Sequence, residues 1–255
     1  MTGDRPLAGQ VALVSGSSGG LGFATAQTLA DRGAAVAITE VSDRRGIADD
    51  SVRRLRDGGA DAIGIDLDVR DPGSIASCVA ECCARWGSLD ILVNNAGVNI
   101  RKPALDLTPE DWDAVLNVNI RGAFFLAQAA AGVMAPRGSG KIINVASMFG
   151  LVGGVDRAAY ATSKAGLIGL TRCLALEWAR FGIQVNAIAP SFAETPLTEA
   201  LLADSAVRTE ILGRTPAGRL AQVGEIARTI AFLATPGTDI ITGTTVAVDG
   251  GWTAQ

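Results

Sequence analysis

The stretch "VALVSGSSGGLG", Val11 to Gly22, decides the fold. A short apolar run breaks into glycines at 16, 20 and 22, and a helix-like stretch follows. A strand that turns sharply into a helix leaves the helix N-terminus facing the turn. A pyrophosphate can rest there on backbone N–H groups, provided no Cβ blocks its approach. No Lys-Ser/Thr pair follows, which excludes the phosphate loop of an NTPase. Taken alone, the turn fits an ordinary glycine-rich connection equally well.

Outward from it, six further β-rich runs recur: "AVAITE" (Ala35–Glu40), "AIGIDLDV" (Ala62–Val69), "DILVNNAG" (Asp90–Gly97), "KIINVAS" (Lys141–Ser147), "IQVNAIAP" (Ile183–Pro190) and "TTVAVDGG" (Thr244–Gly251). Several are almost continuously apolar, as strands covered on both faces are. Helix-like spacing fills the stretches between. In "TPEDWDAVLNVNIRGAFFLAQAAAGVMA", Thr108 reads as an N-cap and Pro109 as the first helical residue. The alternation predicts an α/β fold of the Rossmann type. Its doubly wound parallel sheet has about seven strands, with helices on both faces. No Pro/Ser-rich linker divides the chain, so residues 1–255 are expected to form one domain. The segment Ser191–Gly218 breaks the strand–helix rhythm and is expected to be a substrate lid.

Bulk properties narrow the function. Apolar residues make up 48% and charged residues 19% of the 255, ordinary for a globular protein. A net charge of −4 argues against a nucleic-acid or anionic-membrane surface. No apolar run approaches the ~18 residues of a membrane span. The start, "MTGDRPLAGQ", has no apolar signal core, so a cytoplasmic location is expected. There is no histidine, and three of the four cysteines (Cys78, Cys82, Cys83) crowd into one stretch while Cys173 stands alone. No metal site is expected from that set. The cysteines read as small buried residues of a reducing compartment.

Glu40 ends the second run, 18 residues past Gly22. A carboxylate there can accept hydrogen bonds from the adenosine ribose hydroxyls and would repel a 2′-phosphate. NAD is therefore expected over NADP. Asp68 and Val69 fall where an adenine ring would lie. The fourth run ends in "NNAG", Asn94 to Gly97, at the carboxyl edge where open α/β sheets bind ligands. The only tyrosine, Tyr160, stands four residues before Lys164. On a helix that spacing places both on one face. By itself the pair fits a packed ring beside a solvated lysine.

In order and at their spacing, these marks identify the chain as similar to the short-chain dehydrogenase/reductase family over essentially its full length. They are "SGSSGGLG", "DV" at 68–69, "NNAG", Asn119 in "NVNIRG", Ser147 in "INVAS" thirteen residues before Tyr160, Lys164, "NAIAP" and "VAVDGG". Ser15 replaces the family's usual threonine, and Ser191 the glycine after Pro190. No basic residue stands at Ser18 or Val41, where NADP-preferring members often carry one, although Arg44 and Arg45 follow closely.

The resemblance implies hydride transfer between nicotinamide and a secondary alcohol or ketone. Asn119, Ser147, Tyr160 and Lys164 are the implied catalytic set. Tyr160 would be the general base or acid. Its free pKa of ~10 is expected to be lowered by the Lys164 ammonium. Ser147 would donate to the substrate oxygen and Asn119 would hold a relay water. The dinucleotide would lie along Gly16, Ser18, Gly20, Leu21, Gly22, Glu40, Asp68, Val69, Asn95, Ala96, Gly97, Tyr160, Lys164, Pro190 and Thr195.

The stretches "NNAGVNIRKPALDLTPEDWDAVLNVN" and "ILGRTPAGRLAQVGEIARTIAFLAT" are similar to the gluconate and 2-keto-3-deoxygluconate dehydrogenases of the family. The small-molecule substrate is accordingly expected to be a sugar acid or polyol. A carboxylate would need Arg101 or Arg157 as partner, and Phe192 is a further candidate substrate residue. One alternative is a 3-oxoacyl-carrier-protein reductase. Another, of a different class, is a nucleotide-sensing protein without catalysis, which would have lost one of the four catalytic positions. The resemblance implies a homotetramer packed through the helices over Thr108–Ala135 and Ala158–Arg180, and their faces here are more apolar than one sheet can cover.

Overall fold

The computed structural model describes residues 5–255, so the first four residues of "MTGDRPLAGQ" lie outside it. Among the described residues, seven parallel strands form one sheet in the order β3-β2-β1-β4-β5-β6-β7. They are β1 (Val11–Val14), β2 (Ala35–Glu40), β3 (Ala62–Asp66), β4 (Ile91–Asn94), β5 (Gly140–Val145), β6 (Ile183–Pro190) and β7 (Thr245–Val248). Five of the seven sequence runs extend past their strands at the carboxyl end. Their tails, such as Leu67–Val69, Asn95–Gly97 and Ala146–Ser147, leave the ladder and become the loops above the sheet edge.

Side chains along each strand alternate between two cores. Ala12, Val14, Val36 and Ile38 meet α1 (Gly20–Asp31), α2 (Arg45–Asp57) and α9 (Val223–Ala234) on one face. Val11, Leu13, Ala37 and Leu92 meet α3 (Pro72–Trp86), α5 (Ala123–Met134) and α6 (Ala158–Trp178) on the other. Burial on both faces is why the strands read as unbroken apolar runs rather than alternating ones.

The helix that starts at Thr108 departs from expectation. Thr108 and Asp111 form a capping box at the start of α4 (Pro109–Leu116), but the helix then widens into a π-helical turn over Asn117–Gly122 before α5. Two close packings hold that turn. A Cβ on Gly122 would stand 2.8 Å from the Val69 side chain, and Asn119 is tied to the backbone of Val98. By length and composition the run Pro109–Arg137 could cross a bilayer. Here Leu126, Ala127, Ala130 and Met134 are buried against the sheet.

The cysteine expectation holds only in part. Cys78 and Cys82 are buried, Cys83 is half-buried, and Cys173 is exposed on α6. Apolar surroundings push the Cys83 thiol up. For Cys78 the neighbouring Cys82 raises the pKa most, with burial adding to it.

The segment after Pro190 carries two short helices, α7 (Glu199–Leu202) and α8 (Ser205–Gly213). Thr198 pins its start: its hydroxyl donates to Ala193 O at 2.5 Å, and Pro196 packs beside the glycine-rich turn. Ser191 donates its N–H to Val248 O at 3.1 Å. Its φ is not positive, so a serine fits where the family has glycine.

Candidate active site

Strand order reverses between β1 and β4. At the carboxyl ends around that switch point lies a cleft of about 1030 Å³. One half is built by the first three strand ends. Gly16 turns with φ +60°, and Gly22 lies so close beneath it that a Cβ there would stand 2.4 Å from Gly16 O. The first turn of α1 has no side-chain cap, which leaves its backbone N–H groups facing the cleft. Ser15 fixes the turn from behind: its hydroxyl accepts from the N–H of Asn95 and of Ala96, both at 3.0 Å. Asn95 answers by donating to Ser15 O and Gly16 O. Serine thus tethers the turn at the position where the family usually has threonine.

Glu40 sits at the rim, where its Oε2 accepts from the Ser18 hydroxyl at 2.5 Å and its Oε1 from Val41 N–H at 3.1 Å. Arg44 stands 3.8 Å from the same carboxylate and lines the cleft. Arg45 turns away to Asp66 and Asp49, whose carboxylates raise its pKa. Asp68 and Val69 line the cleft, and Asp68 is held by Arg70, which lowers its pKa. An uncapped helix start, a cradle without Cβ atoms and a rim carboxylate fit a dinucleotide. Gly16, Ser18, Gly20, Leu21, Gly22, Glu40, Asp68, Val69, Asn95, Ala96 and Gly97 all line this space, with Pro190 and Thr195 beyond.

The other half holds titratable chemistry. Ser147 caps a single 3₁₀ turn, where its hydroxyl accepts from Phe149 N–H at 3.2 Å. Tyr160 and Lys164 share one face of α6, as their spacing requires. Lys164 is 4% exposed and donates from Nζ to Val145 O at 2.8 Å. Burial lowers its pKa to about 8. The lowered pKa expected for Tyr160 is not what the fold alone produces. Burial raises it, while the Ser147 hydroxyl and the Arg157 charge act in the opposite direction. The Lys164 ammonium, 5.7 Å from the Tyr160 ring centre, donates to Val145 O rather than to the phenol, and burial of the phenol dominates.

Asn119 does not line the cleft. It is 1% exposed; its Oδ1 accepts from Val98 N–H, and its Nδ2 donates to Val98 O and the Ser163 hydroxyl. Its carboxamide thus braces the wall behind Gly97, where a Cβ would stand 3.3 Å from Asn119 Oδ1 and 3.4 Å from Lys164 Nζ.

Arg157 lines the cleft at 7% exposure. Its guanidinium lies 4.6 Å over the Phe149 ring and 5.8 Å from that of Phe192. Burial lowers its pKa, and the Arg101 charge adds to the effect. No ion pair among the described residues involves Arg157 or Arg101. Asp156 before it adopts φ 58°, a left-handed turn that aspartate tolerates, which sets the entry to α6. Phe192 stacks edge-on between Phe149 and Trp252. Phe149 and Trp252 were not anticipated. Phe149 stands two residues after Ser147, and Trp252 directly follows "VAVDGG", so proximity to those marks was the available signal.

Comparisons with known proteins agree with this geometry. The family model described as "Enoyl-(Acyl carrier protein) reductase" matches residues 16–253. The chain is 43% identical to cis-4-hydroxycyclohexanecarboxylate dehydrogenase of Sinomonas cyclohexanicum, over 96% of this chain and 97% of that one. It is 40% identical to 2-dehydro-3-deoxy-D-gluconate 5-dehydrogenase of Escherichia coli (strain K12), over 98% and 97%. A gluconate 5-dehydrogenase structure from Burkholderia cenocepacia J2315, in complex with NADP and tartrate, superposes with a TM-score of 0.94 at 41% identity, covering 99% of this chain and 98% of that one. The chain belongs to the short-chain dehydrogenase/reductase family, oxidoreductases that move hydride between a nicotinamide dinucleotide and a CH–OH carbon.

Proposed function

We propose that this protein oxidises or reduces the secondary alcohol or ketone of a hydroxy acid, the sugar acids included. The buried Arg157 guanidinium, facing the cleft without an acidic partner, carries that reading. A guanidinium taken out of water needs a counter-charge, and a carboxylate matches its planar fork. Arg101, close enough to lower the Arg157 pKa, reinforces the demand for an anion. The thioester of an acyl-carrier substrate offers no such charge. Tyr160 moves the alcohol proton, Ser147 donates to the same oxygen, and Lys164 holds positive charge beneath them. The dinucleotide supplies or accepts the hydride, and the segment 191–218 closes over substrate.

NAD is the preferred cofactor in this reading. Glu40 lines the cleft where this reading puts the adenosine ribose, and its charge would oppose a 2′-phosphate. Arg44 is the residue that would favour NADP instead. The assembly is a homotetramer in this reading. The exposed Leu176 and the half-buried Phe124 and Phe125 leave apolar surface on α6 and α5 for a second copy.

A panel of hydroxy acids and neutral polyols, assayed with NAD and with NADP, tests the reading. Arg157→Met should raise KM for acids at least ~10-fold, a loss of ~1.4 kcal/mol, and leave neutral alcohols nearly unchanged. Equal effects on both classes would contradict the carboxylate assignment.

A further inference from the structure

The walls around Arg157 are largely aromatic and aliphatic. We infer that the preferred substrate is an acid whose body is an apolar ring or compact hydrocarbon, rather than a polyhydroxylated chain. The inference rests on the carboxylate reading above and narrows it.

In the substrate half of the cleft, the segments after β4, β5 and β6 present Val98, Met148, Phe149, Phe192, Leu197 and Leu201. Phe149 and Phe192 meet edge to face at 5.8 Å, and Trp252 backs Phe192 at 5.9 Å. Arg157 lies against the first two of these rings, so a carboxylate bound to it brings the rest of the molecule alongside aromatic carbon.

Polar groups free to receive extra hydroxyls are few there. Ser147 and Tyr160 serve the reacting oxygen. The Thr195 and Thr198 hydroxyls are 3.1 Å apart and spend themselves on each other and on Ala193 O. Lys164 is committed to Val145 O. Arg101 stands with Arg157 at the carboxylate end; Asn99 and Ser191 remain, and Asn99 Oδ1 is enclosed with no partner of its own. Each additional hydroxyl of an aldonic acid would exchange water for an aromatic or aliphatic wall. An unpaired polar group so enclosed weakens binding, whereas a ring methylene strengthens it.

The test compares kcat/KM for hydroxycyclohexane carboxylates and for gluconate, with neutral cyclohexanols and polyols as controls, on the intact protein with NAD and with NADP. The ring acid should exceed gluconate by ~10-fold or more. Phe149→Gln should shrink that ratio by ~10-fold while Arg157 still discriminates acids from neutral alcohols. Phe192→Asn is the second variant, should Phe149→Gln fail to fold. Gluconate turned over as well as or better than the ring acid, with acids still preferred to neutral alcohols, would overturn this inference and leave the carboxylate reading standing. Neutral alcohols turned over as well as acids would overturn both. A ratio unmoved by either aromatic substitution would also overturn it.

Discussion

Lys164 reaches beneath Tyr160 without bonding to it: the ammonium lies 5.7 Å from the ring centre and donates to Val145 O at 2.8 Å. The positive charge is therefore fixed by the end of β5, not by the phenol above it. Holding it there is costly. Burial brings its pKa from 10.5 down to about 8, which is the signature of a charge the fold would rather lose.

That cost has a measurable pH dependence. The folded pKa lies below the unfolded one, so between about 8 and 10.5 the unfolded chain binds more protons. Stability from this group must rise with pH across that window, and its penalty is complete below pH 8. Lys164→Met removes the penalty. The variant should melt higher at pH 7, by roughly 2–4 °C for each ~1 kcal/mol relieved, and the difference should shrink toward pH 10.5. Turnover should collapse in the same variant. Thermal melts at several pH values check this. A variant less stable at pH 7, with no pH trend in the difference, would show that Lys164 is not held at a cost.

The proposed preference for NAD is tested at Glu40. In the intact protein NAD should give the higher kcat/KM. Glu40→Ala should weaken NAD binding and narrow the gap to NADP, because a carboxylate at the ribose end and its bond from Ser18 both disappear. Arg44→Ala should lower NADP use more than NAD use. Steady-state kinetics with both dinucleotides decide it, and a wild-type preference for NADP would reverse the assignment.

The glycine cradle allows a sharper substitution. A Cβ at position 22 would stand 2.4 Å from Gly16 O and 2.6 Å from Asn95 Nδ2. Gly22→Ala must therefore push the turn off the first helix. It should cost about 1–3 kcal/mol and abolish dinucleotide binding measured by calorimetry. Gly19→Ala, where a Cβ meets nothing within 4 Å, should bind far better.

Much of this was legible in the sequence. The strand runs were unbroken enough to show a sheet buried on both sides, and "SGSSGGLG" marked its first turn. Glu40, Asp68, "NNAG", Ser147, Tyr160 and Lys164 could be read because each sits at or just past a strand end, or at helical spacing. Three things were not legible. The π-turn at Asn117–Gly122 arises from packing against Val69 and Val98, which are distant in the chain. The direction of the Tyr160 shift depends on how deeply the ring is buried and where Nζ points, which spacing cannot give. The stacking of Phe149, Phe192 and Trp252 joins three loops that only the folded sheet brings together.

As the proposed proton carrier, Tyr160 should have its pKa, raised by burial, brought down when the cofactor binds. It is the only tyrosine, so the ultraviolet difference signal of phenolate formation reports one residue. Without dinucleotide the transition should lie above 10, because burial outweighs Ser147 and Arg157. Saturating NAD, which would bring a cationic ring beside the phenol, should shift it downward, and Tyr160→Phe should erase both the signal and turnover while leaving NAD binding largely intact. A titration indifferent to NAD in an otherwise active enzyme would contradict the account.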